Sequence, residues 1–136
     1  MAYYISRSGA QTQAVNTYTA LPGLAGDGSG AITVPQGVSS IKQLIASISE
    51  SIVAVASSGG NVLLRLTGNG LRDGQQDLTI GIIREDTTST GGSKHGPPTV
   101  LDTDIAVVPG NQITPSVAYT GVDVGTPEVA VTLVFA

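Results

Sequence analysis

Apolar and polar residues alternate in short runs along this chain, and clusters of Gly, Pro, Asn and Asp separate the runs. Period-two alternation bounded by turn residues predicts β-strands with one buried face. Residues 12–20 alternate, with Val15, Thr17 and Thr19 on one face and Ala14, Asn16 and Tyr18 on the other. Residues 21–30 are glycine-rich and predict a surface loop. Residues 31–34 form a short strand stopped by Pro35 and the Gln36-Gly37 turn. After the hairpin-type connection Ser57-Ser58-Gly59-Gly60, residues 61–67 read as a buried strand. Residues 77–85 read as another, with Leu78, Ile80 and Ile82 inward. A polar loop is expected over residues 86–98, a strand over 99–108, and a turn at Pro109-Gly110-Asn111. Residues 113–119 form a strand interrupted by Pro115, and residues 121–127 another loop. The chain then ends inside a strand in which Val129, Val131, Leu133 and Phe135 alternate with Ala130, Thr132 and Val134, so its last residues are expected to be paired in a sheet.

Residues 38–56 are less clear. Ile41, Leu44, Ile45, Ile48, Ile52 and Val55 recur at helical spacing, but Ile and Val set among serines suit strands better. The preferred reading is strand, with a bulge or break near residues 47–51. By contrast, residues 1–11 show no pattern and read as an N-terminal arm preceding a single domain over residues 12–136. The count is then about eight short strands, which predicts an all-β fold: a two-sheet antiparallel sandwich, a single jelly roll. No internal repeat is visible, which disfavours propellers and solenoids.

Composition adds to this picture. At 136 residues there is room for one core, and 40% apolar residues suffice to build it. Only 12% of residues are charged, against about 25% in ordinary globular chains. A sparse charged coat keeps a monomer poorly dispersed, so the composition favours a protein that covers much of its surface with copies of itself. The net charge of −4 and six scattered basic residues argue against direct nucleic-acid binding, which draws on Lys and Arg at phosphates. With no cysteine, disulfides, thiolate metal sites and thiol nucleophiles are excluded. Residues 1–13 lack the apolar stretch of a signal peptide, and no 18-residue apolar run occurs, so a soluble chain outside the secretory route is expected.

Candidate chemistry is thin. His95, the only histidine, lies in a Gly/Pro loop and is expected to be solvated rather than part of a triad. Gly26-Asp27-Gly28-Ser29-Gly30 lacks the spacing of a dinucleotide fingerprint and the lysine of a P-loop, and reads as a plain loop. Asp102 and Asp104, two apart on a strand, share a face. They suit a surface Ca²⁺ site completed by loop carbonyls, or simply a solvent-facing edge, which alternation alone produces more often. Glu85-Asp86 beside Arg84 reads as a solvated strand end. Aromatic residues are too few to make an obvious sugar platform, and there is no Trp. Tyr3 and Tyr4 in the arm either fold back on their own domain or anchor on a neighbouring subunit. No catalytic, cofactor or metal site is assigned, and no enzymatic activity is expected.

Three segments carry a resemblance. Val34-Pro35-x-Gly37-Val38-x-x-Ile41 comes first. After a Ser-rich strand pair follows Leu64-Arg65-Leu66-Thr67-Gly68-Asn69-Gly70-Leu71-x-Asp73-Gly74-Gln75-Gln76. The closing strands run from Ile105–Pro109 to Val129–Phe135. Their order resembles that of small single-jelly-roll capsid proteins of membrane-containing icosahedral viruses of bacteria and archaea. The resemblance implies a virion protein that self-assembles, or co-assembles with a second capsid protein, into an icosahedral shell near an internal viral membrane, without binding the genome directly. The chain is short for a major subunit, which leaves open a minor, decoration or tail role. The alternative is a non-catalytic carbohydrate-binding or decoration/fibre β-sandwich module.

Overall fold

A computed structural model describes residues 2–10, 18–21, 30–52, 60–83, 92–95, 98–119 and 126–136. Ten strands are seen: β1 (Tyr3–Ala10), β2 (Thr19–Ala20), β3 (Ile32–Thr33), β4 (Ser40–Ile52) and β5 (Gly60–Thr67), then β6 (Gln76–Ile83), β7 (Gly92–His95), β8 (Thr99–Ala106), β9 (Gln112–Tyr119) and β10 (Thr126–Phe135). There is no helix among the described residues. The short strands β2 and β3 lie end to end along β9, and β7 and β8 lie end to end along β4. Ten segments therefore fill eight strand positions.

Numbering those positions along the chain, the first sheet runs 1-8-3-6 (β1, β10, β4, β7/β8) and the second 2-7-4-5 (β2/β3, β9, β5, β6), with every pair antiparallel. Interleaving the positions between two sheets in this order gives the jelly roll, an eight-stranded double-sheet sandwich. The fold class expected from alternation is the one observed.

The core lies between the sheets. Ile41, Leu44, Val131, Leu133 and Phe135 from the first sheet meet Val62, Leu64, Leu66, Ile80, Ile113 and Val117 from the second, all with essentially no exposure. Alternation in β10 places Val129, Val131, Leu133 and Phe135 inward, as the sequence pattern requires. The chain end is tied down as expected: Ala136 N–H donates to the Ser40 carbonyl at 3.0 Å, and the Ala136 carbonyl accepts from Ser39 N–H at 2.9 Å.

Four details differ from the sequence reading. Residues 3–10, expected as an arm, form β1 and pair with β10 along all eight residues. Their alternation is hidden because an edge strand buries little: among its described apolar side chains, Ile5 is the one that packs on the core. The irregularity in residues 38–56 lies not near residues 47–51 but at Lys42, where β4 carries an extra residue relative to β10. That bulge turns both Lys42 and Gln43 away from the core, so Ile41 and Leu44 face inward three residues apart. The three-residue step from Ile41 to Leu44, which reads as helical spacing, is the trace of this bulge. Pro115 does not interrupt β9, which runs through it. The Pro115 carbonyl accepts from Leu21 N–H at 3.0 Å, so the missing Pro115 N–H lies on the same side, in the gap between the ends of β2 and β3. Finally, the loop expected over residues 86–98 contains the short strand β7.

The turns at one end of the sandwich pack tightly on each other. Gly70 N–H donates to the Gln112 carbonyl at 2.9 Å, and its own carbonyl accepts from Val108 N–H at 2.8 Å. Asn69 Oδ1 accepts from Gln112 N–H at 3.2 Å. A Cβ on Gly70 would stand 2.8 Å from Ile113 Cγ1 and 2.9 Å from the Gln112 carbonyl oxygen, and Gly68, at φ +121°, is pressed onto the same oxygen. The Gly68-Asn69-Gly70 segment thus answers a close approach of two connections.

Candidate functional site

Because the described residues hold no cluster of three or more His, Asp or Glu side chains suited to a metal, attention falls on the two outer faces of the sandwich. They differ in character.

On the second sheet, Arg65 projects outward from β5 between buried Leu64 and Leu66. Its guanidinium lies 3.8 Å from the centroid of the Tyr18 ring, and it donates to Asp77 Oδ1 at 2.9 Å and Oδ2 at 3.3 Å. Gln75 Nε2 donates to the same carboxylate at 3.2 Å. The result is a ladder, Tyr18–Arg65–Asp77–Gln75, that crosses the sheet. The bidentate contact with Arg65 holds the Asp77 carboxyl below its usual range, and Asp77 in turn raises the Arg65 guanidinium. Ala118, on the outer side of β9 next to this ladder, is buried.

The outer face of the first sheet is built differently. Its pairing sets out two rows of outward side chains. One row runs Tyr4–Val134–Gln43–Asp102 across β1, β10, β4 and β8. The next runs Ser6–Thr132–Ile45–Val100, with the Ser6 and Thr132 hydroxyls hydrogen-bonded at 2.7 Å. Ala130 and Ser47 continue the face beyond them. Tyr4 is 67% exposed, Val100 53% and Tyr3 38%, and these are the large exposed hydrophobic residues among those described. All three stand on the edge strands of the first sheet, β1 and β8.

Asp102 and Asp104 lie on the exposed face of β8, as alternation predicts, but each has its own neighbour. Lys42 Nζ donates to Asp104 Oδ1 at 2.8 Å, and Gln43 Nε2 donates to Asp102 Oδ1 at 3.2 Å. The Lys42 ammonium keeps the Asp104 carboxyl below its ordinary range. A cation at the pair would have to displace an ammonium already in place. His95 ends β7 opposite Ser49 of β4, and its side chain lies outside the described residues. So do Arg84, Glu85, Asp86 and residues 26–29, whereas Gly30 is described, with φ +69°. Tyr3 and Tyr4, with the arm now a strand, sit on their own sheet with exposed rings.

The ladder was not foreseen from sequence. An arginine inside a run of leucines signals an outward position, but its partners belong to strands that only the fold brings alongside β5.

No family model matches the chain, and the comparison with curated proteins finds no match. Among solved structures, it is similar to a chain in the structure of infectious bursal disease virus Gx strain, with a TM-score of 0.45 and 15% identity. The likeness covers 97% of this chain and 32% of that one, so this chain spans about a third of its length.

Proposed function

We propose that this protein is a structural building block of a virion shell: a jelly-roll subunit that associates with copies of itself, alone or with a second capsid protein, and performs no catalysis. The observation that carries the reading is the outer face of the first sheet. It offers Tyr4, Val100 and Ile45 among Ser, Thr and Ala, and among the described residues its charges are Lys42, Asp102 and Asp104, toward the β8 edge. Large exposed apolar side chains on a weakly charged face, in a chain with half the usual charge, suit a surface that meets other proteins. The proposal includes no direct genome binding; three of the six basic residues, Arg7, Lys42 and Arg65, are bonded within the chain. An address in the virion and a position close to a viral membrane belong to the same proposal.

The test is mass by light scattering across protein concentration, with negative-stain imaging of the same samples. Trimers, pentamers, hexamers, or closed or tubular arrays are expected. A clean monomer at every concentration would overturn the reading and move the first choice to a carbohydrate-binding module, to be assayed by calorimetry with saccharides.

A further inference from the structure

Tyr4 and Asp102 stand at the two ends of one register row, on opposite edges of the first sheet, with Val134 and Gln43 between them. Three strand spacings separate them, ~14 Å. We propose that the outer face of this sheet packs face to face on the same face of a second copy, about a two-fold axis running parallel to the strands between β10 and β4. The inference rests on the building-block reading and names its first contact.

Three observations select the occupant. Such an axis carries the β1 edge of one copy over the β8 edge of the other. Tyr4 then lies across Val100 and Asp102 of the second copy, and the reciprocal contact forms at the other edge, as an isologous interface requires. The row matches itself chemically: the Tyr4 ring covers exposed Val100, and the phenol O–H is a donor for the Asp102 carboxylate, which carries one amide from Gln43 in the free chain.

The second observation is charge. The middle of the face holds Ser6, Thr132, Ile45, Ala130 and Ser47, so self-packing buries no like-charge pair there. Small side chains also let two sheets approach to the ~10 Å of ordinary sheet packing.

The third is area. Four strands about 4.8 Å apart and about eight residues at 3.3 Å give a projected face of ~500 Å² per copy. The pair thus buries ~1,000 Å², the lower limit of a specific interface. The contact is accordingly weak by itself and fit to be repeated in an assembly. The second sheet does not offer this, since its face is spanned by the Arg65–Asp77 ladder.

The experiment compares the wild type with Tyr4→Glu, Val100→Glu and, on the outer face of the second sheet, Thr79→Glu. All three positions are exposed, so urea midpoints are expected to stay together. Light scattering should show association of the wild type and of Thr79→Glu, and a shift to about tenfold higher concentration, or more, for the other two. In parallel, a Tyr4→Cys chain and a differently tagged Val100→Cys chain are mixed with a flexible bismaleimide able to span the ~10 Å between packed sheets, which a direct disulfide cannot. The protein has no cysteine of its own, and covalent heterodimers are expected. Association unchanged in both glutamate variants, with no cross-link, overturns the face-to-face contact while leaving the building-block reading intact. A wild type that stays monomeric throughout overturns both.

Discussion

The Arg7 guanidinium donates to the Ala31 carbonyl at 2.8 Å, joining the edge of one sheet to the approach of the other. Arg7 Nε reaches the Gly30 carbonyl at 3.2 Å, and a third nitrogen returns to the Ser6 carbonyl at 2.9 Å. An inward-turned arginine of this kind closes the open side of the sandwich and blunts an edge strand that would otherwise offer a row of unpaired backbone groups. Arg7→Ala is expected to lose about 1–2 kcal/mol of stability, and Arg7→Lys to recover only part, since an ammonium cannot serve three carbonyls in a plane. Urea unfolding checks the size. Faster amide exchange confined to residues 3–10 would check the place.

Beyond the bulge at Lys42, regular alternation sets neighbouring residues of β4 on opposite faces. Leu44 is fully buried, whereas Ile45 faces outward beside Val100. Leu44→Ala is expected to cost about 2–5 kcal/mol. Ile45→Ala, leaving no core cavity, should cost about 1 kcal/mol or less. Equal losses in chemical denaturation would contradict the assigned phase of β4.

Gly70 and Gly74 separate steric from conformational demand. Gly70→Ala puts a methyl group against the Gln112 carbonyl and Ile113, and about 2 kcal/mol or more should be lost. Gly74 has φ +84° with nothing within 4 Å of a built Cβ, so Gly74→Ala should cost only the backbone term, about 1 kcal/mol. Thermal melts of the two variants side by side provide the comparison.

Asp77 predicts a pH dependence. Its folded-state pKa is lowered, chiefly by the Arg65 hydrogen bonds, so the pair supports the fold at neutral pH. That support is lost as pH falls through the lowered pKa, below the usual carboxylate range. Asp77→Asn should therefore be slightly less stable than wild type at pH 7, with the gap closing in acid. Both groups are solvent-exposed, which keeps the effect small and salt-sensitive. Stability curves between pH 7 and pH 2 at low and high salt give the measurement, and a gap that widens in acid would refute the assignment.

Much of this protein could be read along the chain. Strands β5, β6, β8 and β10 lie where alternation puts them, because each buries one face and its apolar residues must fall every second place. The Gly68-Asn69-Gly70 turn falls between the two strands that alternation marks at residues 61–67 and 77–85, but its cause, the pressing of Gln112 and Ile113 onto it, leaves no trace in the pattern.

The parts that escaped share a physical origin. β1 hides in the sequence because its pairing is made of backbone hydrogen bonds, which leave no pattern in side chains. A bulge at Lys42 imitates a helix because one extra residue shifts the phase of alternation. Tyr18, Arg65 and Asp77 meet only when β2, β5 and β6 are laid in one sheet. By itself, then, the sequence determined an all-β sandwich of about eight strands, the residues of its core and its scarcity of charge, since these follow from local periodicity and composition. Only the tertiary structure decided strand order, register and which exposed residues share a face, because these arise from pairing between segments far apart in the chain.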